Sequence, residues 1–315
     1  MYKEIFLLVA GLIGLWLGSN LAINGAKNVA RHFRLSGGFI GLTILSIGTS
    51  VPELAVGVAG GIDRLAGLET SGIVIGNIVG SAANQLTIIL GLIGLFGVLY
   101  VSRKRLLRDA VMLFASILLL VIMSLDGKFT VFEGYVMILI YLVYLFFISI
   151  EEKIHKKVVG RPPELHLVLD ALRLVGGLLL VAFASNYVVK NGIALASAWG
   201  VTQTFVGIFI IGLGTGLPEL AVSIAALRKG EVAMSVGNLI GSNICDLLFS
   251  LGAGAVITGF LVPERVLLYD LPALLLITLA VFFLFWDDRR LTKKEAVILI
   301  LLYLVYLGVR LWLFG

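Results

Sequence analysis

Cysteine is almost absent from this 315-residue chain. Cys245 stands alone, so no internal disulfide can form and the redox compartment leaves no mark on the sequence. Charge is also scarce: Asp, Glu, Lys and Arg make up 14% of residues, against about 25% in an ordinary soluble domain. The three histidines, His32, His155 and His166, fall at or beyond the ends of apolar runs, which reads as loop placement rather than metal ligation. No phosphate-binding loop, zinc motif or coenzyme fingerprint is present. The N-terminus leads straight into a long apolar span with no small-residue cleavage site, so it reads as a retained helix rather than a removed signal. What fills the chain is apolar: 60% of residues are hydrophobic, and the mean hydropathy is +1.09. Such a composition belongs to a polytopic membrane protein. The net charge of +5 does not point to nucleic acid, because the basic residues flank apolar spans.

The apolar spans fall at about 4–26, 36–60, 71–99, 109–125, 132–150, 167–189, 202–227, 232–260, 268–286 and 296–314. This predicts an all-α membrane protein of about ten transmembrane helices, each near the ~20 residues that cross a bilayer. Trp16, Trp199, Trp286 and Trp312 fit interfacial belts or packing. One set of alternate loops gathers 18 of the 24 Lys and Arg residues, including Lys27, Arg31, Arg103, Lys156, Arg173, Arg228 and Lys294. That set is expected on the cytoplasmic side, with both termini outside. Asp170 and Arg173, three apart in the sixth span, are placed to pair.

A motif recurs. Gly-Thr-Ser-Val-Pro-Glu-Leu at 48–54 returns as Gly-Thr-Gly-Leu-Pro-Glu-Leu at 214–220, and Gly-Asn-Ile-Val-Gly-Ser at 76–81 returns as Gly-Asn-Leu-Ile-Gly-Ser at 237–242. Glu53 is thus matched by Glu219 and Ser81 by Ser242; the stretch between the two motifs is shorter in the second copy. The expected organisation is a five-helix repeat over 1–150, a short cytoplasmic linker over 151–166, and a second five-helix repeat over 167–315. An odd number of spans per half makes the second half enter the membrane from the opposite side. Inverted repeats of this kind are typical of secondary transporters whose site lies near the midplane.

Each copy buries a carboxylate and a proline in an apolar stretch. A carboxylate at the centre of a membrane helix costs roughly 2.5–3.5 kcal/mol on insertion scales. Thr49 and Glu53, like Thr215 and Glu219, are four residues apart and would share a helix face. Pro52 and Pro218 have no N–H for the carbonyl one turn earlier, which frees main-chain oxygens over 46–48 and 212–214. Asn77, Ser81 and Gln85 keep the same spacing, as do Asn238, Ser242 and Asp246. The two asparagines suit either interhelical hydrogen bonding or ligation, whereas a buried acid at Asp246 needs a cation or a proton. Carboxylates, hydroxyls and free carbonyls form a hard-oxygen set suited to Ca²⁺ or Na⁺. Glu53, Glu219 and Asp246 together would carry −3, which one Ca²⁺ would reduce to −1 and three Na⁺ would balance.

At these residues the chain resembles the cation/calcium antiporter superfamily, and within it the prokaryotic type of the sodium/calcium exchanger branch. The resemblance covers essentially the whole chain. It implies Ca²⁺ clamped by Glu53 and Glu219. It also implies Na⁺ sites using Thr49, Ser50, Ser81, Thr215, Ser242 and Asp246, with main-chain oxygens at Ser46 and Gly212. Two positions depart from the family pattern. Gln85 stands where asparagine or aspartate is usual; K⁺-dependent relatives carry the aspartate, so the resemblance implies exchange without K⁺. Gly216 replaces a usual serine and removes one hydroxyl. The expected activity is antiport of Ca²⁺ against Na⁺ by alternating access, with Ca²⁺/H⁺ or other divalent-cation antiport as the alternative. A channel would more often set its acids in a ring across identical subunits, and an intramembrane hydrolase would need a nucleophile–base pair that the sequence lacks. The expectation is therefore no enzyme and no cofactor. The partners would be Ca²⁺ and Na⁺ as substrates and the lipid bilayer, with no nucleic acid. The chain would work singly in the plasma membrane.

Overall fold

The structure, a computed structural model, describes residues 2–155, 167–198, 214, 216–286 and 290–314. Eleven helices recur in the text below: α1 Tyr2–Phe33, α2 Gly37–Thr49, α3 Val51–Leu65, α4 Ser71–Phe96, α5 Arg103–Met123, α6 Val131–His155, α7 Leu167–Ala198, α8 Leu217–Arg228, α9 Val232–Thr258, α10 Val266–Trp286 and α11 Lys293–Phe314. Among the described residues, eight of them are long and apolar enough to cross a membrane, or nine spans if α2 and α3 count as one. The protein is thus an all-helical membrane protein. Of the ten expected spans, the first half of the seventh, at 202–227, falls outside the described residues, as does most of the 151–166 linker.

Four π-helical turns interrupt the described helices, at Gly41–Leu45, Gln85–Ile89, Asp246–Ser250 and Val266–Asp270. The second and third begin at Gln85 and Asp246, which are mates under the repeat of the second sequence motif. Single π turns inside α-helices often mark functional positions.

The chain forms two compact units: Met1–Thr49 with Ile148–Asn238, and Ser50–Phe147 with Leu239–Gly315. Each draws on both halves of the sequence. In the first unit, α1 and α7 pack along their lengths through small residues, since lipid provides no hydrophobic drive and helices associate by close contact. A Cβ at Gly18 would come 2.9 Å from the Gly177 carbonyl oxygen, and one at Gly25 would come 2.5 Å from that of Asp170. Ile23, Ile40, Leu45, Leu174, Val181, Val222 and Met234 fill the core between α1, α2, α7, α8 and the start of α9. The expected Asp170–Arg173 pair forms, at 2.9 Å. Ser36 caps α2 by accepting from Phe39 N at 3.2 Å, while its own N–H and hydroxyl donate to the Glu152 carboxylate.

In the second unit, α3 lies against the last two turns of α9. A Cβ at Gly57 would come 2.5 Å from the Ser250 carbonyl oxygen, and one at Gly61 would come 2.7 Å from that of Gly254. Two short antiparallel pairings close the loops, Leu99–Tyr100 with Arg290–Leu291 and Lys128–Phe129 with Phe260–Leu261. Moving the first pairing by the sequence repeat gives the second. The same shift, to within one residue, turns the Tyr144–Asp109 hydrogen bond, 3.3 Å, into the Tyr306–Asp270 bond, 2.7 Å.

Candidate ion-binding site

Both copies of the proline–glutamate motif adopt one local form. Ser50 (φ −79°, ψ 3°) and Gly216 (φ −89°, ψ 7°) interrupt the helical path, and a new helix starts at the next residue with proline in its first turn. Proline is well tolerated there because the first N–H groups have no helical partner anyway. Glu53 and Glu219 therefore sit in the first turns of α3 and α8. The partial positive charge of a helix N-terminus favours an acid at that place. This corrects the sequence reading in one respect: Thr49 and Glu53 do not share a continuous helix face, because the break at Ser50 separates them.

In the second unit a buried polar chain joins two acids. Glu53 is 1% exposed and Asp246 is fully buried. Ser81 Oγ donates to Glu53 Oε1 at 3.2 Å. Gln85 Nε2 donates to Ser81 Oγ at 3.0 Å and to Asp246 Oδ2 at 3.3 Å. Asn243 Nδ2 donates to Gln85 Oε1 at 2.9 Å and to Leu239 O at 2.9 Å. Ser250 Oγ stands 3.5 Å from Asp246 Oδ1. Ser50 and Ser242 are buried as well. Glu53 Oε2 has no hydrogen-bond partner among the described residues. Among the same residues, no lysine, arginine or histidine pairs with Glu53 or Asp246. Two desolvated acids thus share one network of oxygen and amide groups with no protein cation among the described residues.

The first unit holds a second polar cluster. Ser46 Oγ donates back to Leu42 O at 2.7 Å and Thr43 O at 3.0 Å. Thr49 Oγ1 donates toward Ser46 O and Asn238 Oδ1, each at 3.3 Å. Asn238 Nδ2 donates to Ser223 Oγ at 3.1 Å, and Ser223 Oγ donates to Ser235 O at 3.3 Å. Asn238 therefore does form the interhelical hydrogen bond that was one of its two sequence readings. Glu219 is fully buried in this unit. Thr215 and Gly212 lie outside the described residues.

Three polar residues escaped the sequence reading. Ser223 is four residues beyond Glu219, and Ser250 is four beyond Asp246, so one more step along each ladder would have found them. Asn243 carried no such signal: it lies off the 238–242–246 face, and its mate under the repeat is Ala82. Among the described residues, no group of three His, Cys, Asp or Glu side chains gathers as a transition-metal cage would. The donors are instead mixed carboxylate, hydroxyl, amide and carbonyl oxygens, the set preferred by hard cations.

The sequence model of the sodium/calcium exchanger protein family matches residues 3–150 and 170–312. The chain belongs to that family. Members of the sodium/calcium exchanger family are transporters rather than enzymes, and cation exchange is the activity that membership supports. This exchanger-family chain is 27% identical to the sodium/calcium exchanger MaX1 of Methanosarcina acetivorans, over 96% of this chain and 97% of that one. It is 29% identical to the uncharacterized membrane protein MJ0091 of Methanocaldococcus jannaschii, over 94% of each. Among solved structures it is similar to the sodium-calcium exchanger NCX_Mj soaked with Na⁺ and Ca²⁺, with a TM-score of 0.82, 26% identity, and coverage of 97% of this chain and 98% of that chain.

Proposed function

We propose that the protein is a secondary antiporter that exchanges Ca²⁺ for Na⁺ across the membrane by alternating access. The observation that carries this reading is the buried Glu53–Ser81–Gln85–Asp246 network, which holds two acids and, among the described residues, no protein cation. In low dielectric such a set is costly unless a cation or proton joins it. Glu53 and Glu219 are the proposed Ca²⁺ ligands. Asp246, Gln85, Thr49, Ser50, Ser81, Thr215 and Ser242, with the main-chain oxygens of Ser46 and Gly212, complete the ligand set for Ca²⁺ and Na⁺. No cofactor takes part, and one chain suffices.

The proposed architecture has ten spans in two inverted repeats, 1–150 and 167–315, joined by a cytoplasmic linker at 151–166. Its support is the doubled sequence motif, the π turns at matching places in the two copies, and the loop pairings that exchange under the same shift. The distribution of Lys and Arg supports both termini outside, and the membrane assigned to the protein is the plasma membrane. Alternating access is assigned to movement of α1 and α7 as a pair, because their glycine contacts make them one packed body.

The test uses purified protein in sealed vesicles with an imposed Na⁺ gradient. Ca²⁺ uptake should follow the gradient and be abolished in Glu53→Ala and in Glu219→Ala. Undiminished uptake in either variant refutes the ligand assignment. Uptake driven by a pH gradient in Na⁺-free medium would transfer the coupling to protons.

A further inference from the structure

One strongly basic cavity lies apart from every residue assigned to ion exchange. It sits within the first unit, has a volume of about 500 Å³, and is lined by Leu21, Asn24, Lys27, Asn28 and Arg31 of α1 and Arg173 of α7. Three of these six are cations and none is acidic. Asp170 anchors the wall: it is 3% exposed and accepts from Asn28 Nδ2 and Arg173 Nη1, both at 2.9 Å. Lys27 is held by Glu231 at 3.1 Å. A fourth cation stands next to the cavity, since Lys229 Nζ donates to Asn20 O and Asn24 Oδ1, both at 2.8 Å. Burial and the nearby Lys27 charge hold the Lys229 amine below its usual lysine range. The Arg31 side chain is exposed and has no ion-pair or hydrogen-bond partner among the described residues. Two acids therefore face four cations, and an anion would relieve the excess.

The surroundings identify the kind of anion. Leu17, Leu21, Asn24, Asn28 and Arg31 follow the alternating four- and three-residue spacing of one helix face. That face passes from apolar through amide to basic in four turns, which matches the gradient from acyl chain to headgroup. α7 begins at the same level, as the Asn28–Asp170 bond shows. On that face of α1, Leu17 and Leu21 are exposed, 44% and 40% accessible. A soluble phosphate has no use for an apolar wall open to the bilayer.

We propose that this cavity binds the phosphate-bearing headgroup of an anionic phospholipid, with the acyl chains lying along Leu17 and Leu21 of α1. Basic pockets of this sort at the cytoplasmic ends of membrane helices suit anionic headgroups. The leaflet rests on the orientation given under the proposed function; the headgroup chemistry does not.

The test uses the purified full chain, with retained lipid counted by native mass spectrometry. Three probes are compared: phosphatidylglycerol, phosphatidylcholine and inorganic phosphate. Phosphatidylglycerol should be retained in preference to phosphatidylcholine. Arg31→Gln, an exposed change that breaks no hydrogen bond or ion pair among the described residues, should weaken that retention about fivefold, and R31Q/R173Q about 25-fold, from the loss of one and two charges near a headgroup. Equal retention of the two lipids, or undiminished retention by R31Q, overturns the site. Displacement of phosphatidylglycerol by an equal concentration of inorganic phosphate overturns the lipid assignment in favour of a free anion. Lipid retention is read without transport, so its failure leaves the exchange reading standing, and loss of exchange leaves this site standing.

Discussion

Gln85 is the residue whose replacement tells most. Its amide joins three partners: Nε2 donates to Ser81 and to Asp246 at 3.3 Å, and Oε1 accepts from Asn243 at 2.9 Å. Gln85→Glu keeps the shape but puts a second carboxylate oxygen where the amide nitrogen faced Asp246. Two unit charges near 4 Å repel by about 4 kcal/mol at an effective dielectric constant of about 20. Without cations, Q85E should therefore melt well below the parent protein. A divalent cation between the two oxygens turns the repulsion into attraction, so Ca²⁺ should raise the Q85E melting temperature by much more than it raises that of the parent.

Gln85→Leu supplies the control, because it keeps volume and removes the hydrogen bonds without adding charge. One bond to an acid and two neutral bonds are lost, about 3–5 kcal/mol if the losses add. Q85L should also melt low, but Ca²⁺ should not restore it. The assay is thermal unfolding of purified protein, followed by the monodisperse fraction on size exclusion, with Ca²⁺, with Mg²⁺ and without either. Restoration of both variants by Ca²⁺, or of neither, would refute the assignment of Gln85 and Asp246 to a cation site. Restoration of Q85E by Mg²⁺ as fully as by Ca²⁺ would leave a divalent site without the proposed selectivity.

Two further outcomes test the scaffold. Gly18→Ala would set a Cβ 2.9 Å from the Gly177 carbonyl oxygen and 3.0 Å from Val181 Cγ2, so α1 and α7 must separate; overpacking of this kind costs about 1–3 kcal/mol, and an unchanged melting temperature would refute the tight α1–α7 contact. Tyr306→Phe removes the 2.7 Å bond to buried Asp270 and leaves that acid to Arg310 at 3.0 Å; the expected loss is about 1.5–3 kcal/mol in thermal unfolding, with ion binding by calorimetry unaltered, and altered Ca²⁺ binding would connect this cluster to the site.

The membrane made much of this legible from sequence. Where hydrocarbon surrounds a helix, each acid or amide is expensive, so Glu53, Glu219, Asp246 and Gln85 stood out against apolar neighbours. Repetition did the rest, since two costly acids at matching places point to a shared purpose. Local backbone form was less legible. Thr49 and Glu53 read as partners on one helix face because their spacing is four; the break at Ser50 depends on a backbone turn that Ser50 and Gly216 share without sharing chemistry. The π turns at Gln85 and Asp246 left no composition signature, because an extra residue per turn changes phase, not residue type. Nor could spacing reveal Asn243, whose partner Gln85 comes from a different helix, far away in the chain.

The repeat also clarifies why its two halves differ where they do. Loop pairings, the π turns at Gln85 and Asp246 and the tyrosine–aspartate bonds survive the shift from one copy to the other, whereas the π turn at Val266–Asp270 falls on plain α-helix in α5. The departures fall at positions of the polar motifs: Gln85 answers Asp246, Gly216 answers Ser50, and Ala82 answers Asn243. A strictly symmetric pair of aspartates at 85 and 246 would set two acids in direct contact with nothing to hold them when no ion is bound. An amide in one of the two places donates to the remaining acid, and Asn243 in turn orients that amide. The hydrogen bond satisfies one oxygen of Asp246 while its negative charge stays available to a cation. On this argument the asymmetry limits the charge of the site: the second unit contributes −2, from Glu53 and Asp246, instead of −3, and with Glu219 the proposed ligand set carries −3 instead of −4. Three Na⁺ balance −3 and one Ca²⁺ leaves −1, whereas a further acid at 85 would call for an additional monovalent ion. Changing Gln85 should therefore alter which ions are counted in each cycle, while the surrounding helices keep their places.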